Sequence, residues 1–434
     1  MWLQYRTSNS RDAKSLEEGS TVRLIGWIAS KRIHGKKVFL NLRDRYGYIQ
    51  LVAKKDSLPD ELYSLVKRVN VESAIAVEGT VKKDPRAPGG AEIRIHDFKV
   101  ISFADEWPIT LSALKSPGFL FDKRHLTIRG PRSRAIMLIR AELIRGMIEY
   151  FLENDYVWIQ APTFITSAVE GGATLFPVKY FDKVAYLTQS AQFYEEAAIC
   201  AFEKVFVVQP SFRSEKSRTR KHLTEFWHIE AEVAFATHDD IMKVEEELLY
   251  YSLSKLIERV PDEIKFVRGD LFKPPEPPFD KVKYDEVISV LNSKGIDIEW
   301  GEDLGAVAER TISKYFEKPF FITHFPVTTR SFYHMRDPSN PEVTLSSDLY
   351  APEGYGEITS GGQRIHDYNE LYNKILEFGL DPKEYEWYLE IRKYGMPPHA
   401  GFGIGVERTL RWILKLSHIR ESTLFPRTPS RLIP

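Results

Sequence analysis

At 434 residues the chain is too long for one typical hydrophobic core, so two or three domains are expected. Sixty Lys and Arg side chains against sixty-one Asp and Glu leave it nearly neutral, so nucleic-acid binding has to come from local patches rather than from bulk charge. One cysteine, Cys200, excludes an internal disulfide framework and a multi-cysteine metal site and suits a reducing compartment. The opening MWLQYRTSNSRDAKS lacks an apolar signal core, and no uncharged apolar run is long enough to span a bilayer. A cytoplasmic protein without membrane contact is the expectation.

From Thr21 to Phe103 the sequence breaks into five short alternating runs, TVRLIGWIAS, KKVFLNLRD, YIQLVAKK, SAIAVEGTVKK and EIRIHDFKVIS, with a helical interruption near Asp60 to Val69. This pattern predicts a small β-barrel of the OB type over residues 1–103. Residues 104–125, with Pro108 and the Ser-Pro-Gly turn at Ser116 to Gly118, read as a hinge. Over residues 126–434 helical periodicities alternate with strands. Ile136, Ile139, Leu143, Met147 and Tyr150 share one helical face, and strands are expected at KVFVVQPSF, HLTEFWHIEAEVAF, PFFITHFP, VTLSSDLYA and AGFGIGV. Strands without a regular βαβ beat predict an α+β domain on an antiparallel sheet flanked by helices.

The common ATP loops are missing: there is no G-x-x-x-x-G-K-[ST] run and no G-x-G-x-x-G opening a helix. A nucleotide would have to be held by arginines and metal. Three segments supply such residues in a recognisable order: the long helix from about Ser133 to Glu153 running into VWIQAP, then FRSEKSRTRKHLTEFWHIEAE (Phe212 to Glu232), then GFGIGVERTLRWIL (Gly401 to Leu414). Together they resemble the signature motifs of class II aminoacyl-tRNA synthetases. The segments QSAQFYEEA and GEITSGGQRIH are similar to the amino-acid pocket of the aspartyl, asparaginyl and lysyl subgroup, and the likeness covers nearly the whole chain.

The resemblance implies ATP-dependent charging of a tRNA. In that chemistry two anions meet, so arginine forks and a cation have to carry the developing charge. It implies that Arg213 grips the α-phosphate and Arg408 the γ-phosphate, and that Glu215 and Phe226 hold the adenine. His222 would lie along the phosphate tail or near the base. The family usually has arginine before that histidine; here it is Lys221, with Arg220 as the other cation able to serve. Glu357 and Ser360 resemble a magnesium-binding pair, and a homodimer built on the first motif is implied as well.

Within the subgroup the residues favour asparagine. Glu195 stands where aspartyl enzymes carry a lysine, and Glu230 where they carry an aspartate. Arg364 can donate to an amide's carbonyl oxygen while Glu230 accepts from its nitrogen; a substrate carboxylate would meet Glu230 as a like charge. Glu170, Ser190 and Gln192 are the residues expected around the α-amino group. An aspartyl enzyme of relaxed specificity and an ammonia-dependent asparagine synthetase relative are the competing readings, together with a binding paralogue that lost catalysis.

In VFLNLRD the two-residue period sends Val38, Leu40 and Leu42 inward and Phe39, Asn41 and Arg43 outward. An exposed aromatic beside polar donors is equipment for an unpaired base. By resemblance Phe39, Arg43 and Gln50 bind the anticodon, with Arg23, Lys31, Lys36 and Lys37 near its backbone.

Overall fold

The five strand-like runs near the N-terminus close into a barrel. They are β1 (Thr21–His34), β2 (Lys37–Asp44), β3 (Gly47–Lys54), β4 (Ala74–Lys83) and β5 (Ala91–Ser102), with helix α1 (Asp60–Arg68) between β3 and β4. The ring order is β1-β2-β3-β5-β4, antiparallel except for the β3–β5 pair. Val38, Leu40 and Leu42 of β2 point inward, each with no solvent exposure, and meet Leu24, Ile49, Leu51, Val77 and Ile93. Burial of such side chains contributes roughly 1.5–3 kcal/mol each and drives closure. The structure is a computed structural model in which residues 2–110, 112–166, 174–215 and 221–434 are described. It divides into two units, residues 1–120 and 121–434.

The second unit is built on an eight-stranded sheet. Its strands are β6 (Val157–Trp158), β7 (Lys204–Phe212), β8 (Glu225–Ala234), β9 (Asp280–Lys283), β10 (Phe320–Thr323), β11 (Ser346–Ala351), β12 (Gly356–Gln363) and β13 (His399–Gly405). They run in the order β9-β10-β11-β12-β13-β8-β7-β6, antiparallel through the centre with a parallel pair at each edge. Helices α2 (Pro131–Glu153), α3 (Gln192–Phe202), α4 (His238–Arg259) and α5 (Val406–Ile413) accompany it. The face of α2 expected from its periodicity is buried: Ile136, Ile139, Leu143, Met147 and Tyr150 pack with Leu249 and Leu253 of α4 and with Ile229, Ala231 and Ile404 of the sheet. One side of the central strands is thereby committed to the core. The other side is left for polar work.

Candidate active site

The period of β8 decides what that second side carries. Ile229 and Ala231 go into the helical core, so Phe226, His228, Glu230 and Glu232 point the opposite way and line one cleft. On β13 the residues facing that cleft are glycines. A Cβ on Gly401 would lie 2.1 Å from Glu232 Cδ, and one on Gly403 would lie 3.3 Å from Glu230 Cγ. Two carboxylates can therefore lie against the neighbouring strand only because those side chains are missing. On β12 the register with β11 shifts between Leu349 and Tyr350. This bulge changes the strand's parity, so Glu357 and Ser360, three apart, both reach the cleft. The first turn of α5 adds Arg408. The cleft holds about 890 Å³ of space counted out to its open mouth.

One end of the cleft is cationic. The Arg213 guanidinium lies 5.4 Å from the Phe226 ring centroid. Arg408 Nη1 is 2.7 Å from Glu357 Oε1, and Lys221 Nζ is 2.6 Å from Glu309 Oε1. His222 Nδ1 stands 4.0 Å from Glu215 Oε2. Burial, then Arg408 and Lys221, push His222 down to about 4; burial, then Arg213 and Arg408, push His228 down to about 3. Both rings are therefore neutral near pH 7, and the positive charge at this end belongs to Arg213, Lys221 and Arg408. Burial raises Glu357, but Arg408, Lys221 and Arg213 outweigh it and hold the carboxyl below its usual range. Ser360 Oγ accepts from Arg330 Nη1 at 3.3 Å, and Arg330 also donates to Asp348 at 2.7 Å.

The other end is crowded with carboxyl groups. Glu230 accepts from Ser190 Oγ at 2.5 Å and from the Ala191 backbone N–H at 2.7 Å. Glu232 Oε1 accepts from Arg364 Nε at 3.0 Å and from Nη2 at 2.6 Å. Glu195, on α3, also lines this end. Burial, then Glu230 and Glu232, push its carboxyl well above the ordinary range. Three acids around one guanidinium cannot all ionise in a dry pocket.

The cleft thus brings together Ser190, Gln192, Arg213, Glu215, His222, Phe226, Glu230, Glu357, Ser360, Arg364 and Arg408, which lie far apart in sequence. Glu170 and Arg220 lie outside the described residues. His228 and Glu232 were not singled out from the sequence, although they share the parity of Phe226 and Glu230 and that period could have found them. Arg364, expected to donate to the substrate's side-chain carbonyl oxygen, also pairs with Glu232 through Nε and Nη2. Among the described residues no group of three or more His, Cys, Asp or Glu forms a metal cage.

In the barrel the outward face of β2 is partly as expected. Phe39 is half-buried with the Arg32 guanidinium 5.0 Å from its ring, and the side-chain oxygen of Asn41 has no hydrogen-bond partner among the described residues. Gln50 donates to Glu92 at 2.9 Å. Arg43 departs from the expectation: it is 8% exposed and donates to both Glu72 oxygens, at 2.7 and 2.8 Å. Its charge is satisfied by Glu72. Lys31 similarly donates to the Lys67 and Val69 carbonyls at the end of α1.

Residues 116–429 match the family described as tRNA synthetases class II (D, K and N), and residues 10–101 match the OB-fold nucleic acid binding domain. The asparagine–tRNA ligase of Thermococcus gammatolerans is 51% identical over 425 residues, covering 98% of each chain. The chain belongs to the class II tRNA synthetases, in the asparagine–tRNA ligase family. Among solved structures, the synthetase is similar to the asparaginyl-tRNA synthetase from Pyrococcus horikoshii complexed with asparaginyl-adenylate, with a TM-score of 0.94 and 50% identity over 96% of this chain and 97% of that one. The aspartyl tRNA synthetase from Entamoeba histolytica shares the architecture at a TM-score of 0.86, over 99% of this chain and 93% of that one, but only 29% identity. No helix among the described residues of the synthetase is long and apolar enough to cross a membrane.

Proposed function

We propose that the synthetase uses ATP to join asparagine to its cognate tRNA by way of asparaginyl-adenylate. The observation that carries this reading is one cleft with a cationic end, at Arg213, Lys221 and Arg408, and an end that presents acceptors around a single guanidinium, at Glu230, Glu232 and Arg364. In the first step the α-carboxylate oxygen of asparagine attacks the α-phosphorus of ATP. A carboxyl-to-phosphorus bond forms and the bond to the departing pyrophosphate breaks. Arg213 and Arg408 hold the phosphate oxygens with paired donors. Phe226 and Glu215 take the adenine, the ring by stacking and the exocyclic amine by accepting. In the second step a terminal hydroxyl of the tRNA attacks the adenylate carbonyl and AMP leaves.

Ser190, Gln192 and the Glu170 region take the α-amino end. Arg364 donates to the side-chain carbonyl oxygen and Glu230 accepts from the amide nitrogen with the lone pairs not used by Ser190 and Ala191. Glu357 and Ser360 suit magnesium, which takes few protein oxygens and fills the rest with water and phosphate; when bound, it would neutralise charge on the phosphate oxygens. The ionised state of Glu357 and an oxygen-only donor pair support that fit. The barrel serves the anticodon through Phe39 and Gln50. Exposed Trp158, Phe164 and Phe181 around the edge of the second unit support a homodimer, and the reducing environment expected from Cys200 supports a cytoplasmic location.

Isotope exchange between pyrophosphate and ATP tests the first step. Exchange that depends on asparagine is expected; exchange with aspartate alone would overturn the assignment.

A further inference from the structure

Beneath the amino-acid end lies a carboxylate that does not face the cleft. Glu196, the neighbour of Glu195 on α3, has no exposure, yet four side chains converge on it. Gln192 Nε2 donates to Oε1 at 2.9 Å and the Tyr388 hydroxyl is 2.8 Å from both oxygens. His399 Nε2 is 3.1 Å from Oε2, and Arg392 Nη2 donates to the same oxygen. Burial alone would raise this carboxyl, but Arg392 and His399 outweigh it and hold it well below the ordinary range. Glu196 is therefore an ionised group that only accepts.

That fact settles which way round Gln192 sits. An amide has one donating and one accepting end, and an acceptor-only neighbour must take the nitrogen. The Gln192 backbone N–H is fixed as well, donating to Ser190 Oγ at 3.1 Å. We infer that Glu196 is a positioning residue for asparagine binding: it turns the Gln192 amide so that the carbonyl oxygen is offered to the α-ammonium group of the amino acid. The inference rests on the reading of this cleft as an asparagine site. The same carboxylate reaches the opposite wall, because Arg392 also donates from Nε and Nη2 to the Ile365 carbonyl, each at 3.2 Å, next to Arg364. One buried charge thus ties the residue that meets the ammonium to the segment that meets the amide.

The test separates the ammonium contact from general damage by using ligands that lack one group each. Asparagine activation is followed by pyrophosphate exchange in the wild type, in Glu196→Gln and in Glu196→Asp; the last keeps the charge that Arg392 requires but withdraws it from Gln192. Asparaginol, which keeps the ammonium, and succinamate, which lacks it, are measured as competitive inhibitors. In both variants KM for asparagine and Ki for asparaginol should rise by roughly tenfold or more, as loss of a charge-assisted contact predicts. Ki for succinamate should stay within about twofold, inside the usual scatter of a neutral change, and kcat should fall less than KM rises. Parallel weakening of succinamate and asparaginol, or an unchanged KM, would overturn the role of Glu196. Absence of asparagine-dependent exchange in the wild type would instead sink the functional reading beneath it.

Discussion

Glu232 holds Arg364 through two donors on a single oxygen, Nε at 3.0 Å and Nη2 at 2.6 Å, with both side chains almost wholly buried. The pair sets the direction in which the guanidinium presents its remaining edge. Burial, ahead of the pull from Arg364, raises the Glu232 carboxyl to about 7, so at pH 8 it is mainly ionised. Glu232→Gln leaves a buried guanidinium without its counter-charge. At that pH urea unfolding should show a loss of about 3 kcal/mol, and KM for asparagine should rise with it. Unchanged stability would show that Arg364 finds another partner.

A second buried acid gives a pH signature. Glu245 on α4 is 2% exposed and accepts from the Thr359 hydroxyl. Burial raises its carboxyl to about 8, from an ordinary 4.5 in the unfolded chain. A folded value above the unfolded one means stability that is full below about 4.5 and is lost as pH rises toward 8. Glu245→Gln stays neutral throughout. The fall in Tm between pH 6 and pH 8.5, chosen to span most of that window, should therefore be shallower in the variant than in the wild type, as read by calorimetry. Parallel profiles would mean that Glu245 is ionised at neutral pH.

The barrel offers a contrast between two residues on the same face of β2. Phe39→Ala should raise KM for tRNA by roughly 5- to 100-fold, the range for losing one stacked base, while pyrophosphate exchange is untouched. Arg43→Ala should instead act through folding, because it leaves the buried Glu72 without its counter-charge; a loss of about 3 kcal/mol is expected from chemical denaturation. If Arg43→Ala impairs tRNA binding without lowering stability, Arg43 reads the RNA after all.

Discrimination between asparagine and aspartate can be shifted at two positions. Glu230→Asp withdraws the acceptor that Ser190 and the Ala191 N–H now hold. Glu195→Lys places a cation among acids whose crowding raises Glu195 well above its usual range. The double variant should lose asparagine activation by roughly tenfold or more and gain measurable aspartate-dependent exchange. Unchanged selectivity in that exchange assay would remove both residues from the pocket.

What local periodicity controls is legible in the sequence: the barrel strands and the buried face of α2 follow from it, whereas Phe226 and Glu230 come from the resemblance of the second motif and not from the alternation of β8. Arg43 was misread because its partner, Glu72, is 29 residues away; a two-residue period says which way a side chain points, not what already waits there. Nothing local in QSAQFYEEA sets Glu196 apart from its neighbour Glu195. The partners of Glu196, Arg392 and His399, come from about two hundred residues downstream, and only the fold brings them under α3. The spacing of Glu357 and Ser360 is explained by a bulge that no propensity marks.

Aminoacylation with asparagine and with aspartate, each on both cognate tRNAs, tests the central claim most directly. The account predicts asparagine joined to its own tRNA, with aspartate disfavoured by about a thousandfold or more, as a like charge in a dry pocket requires. Comparable transfer of aspartate to either tRNA, or free asparagine formed from aspartate, ATP and ammonia, would contradict it.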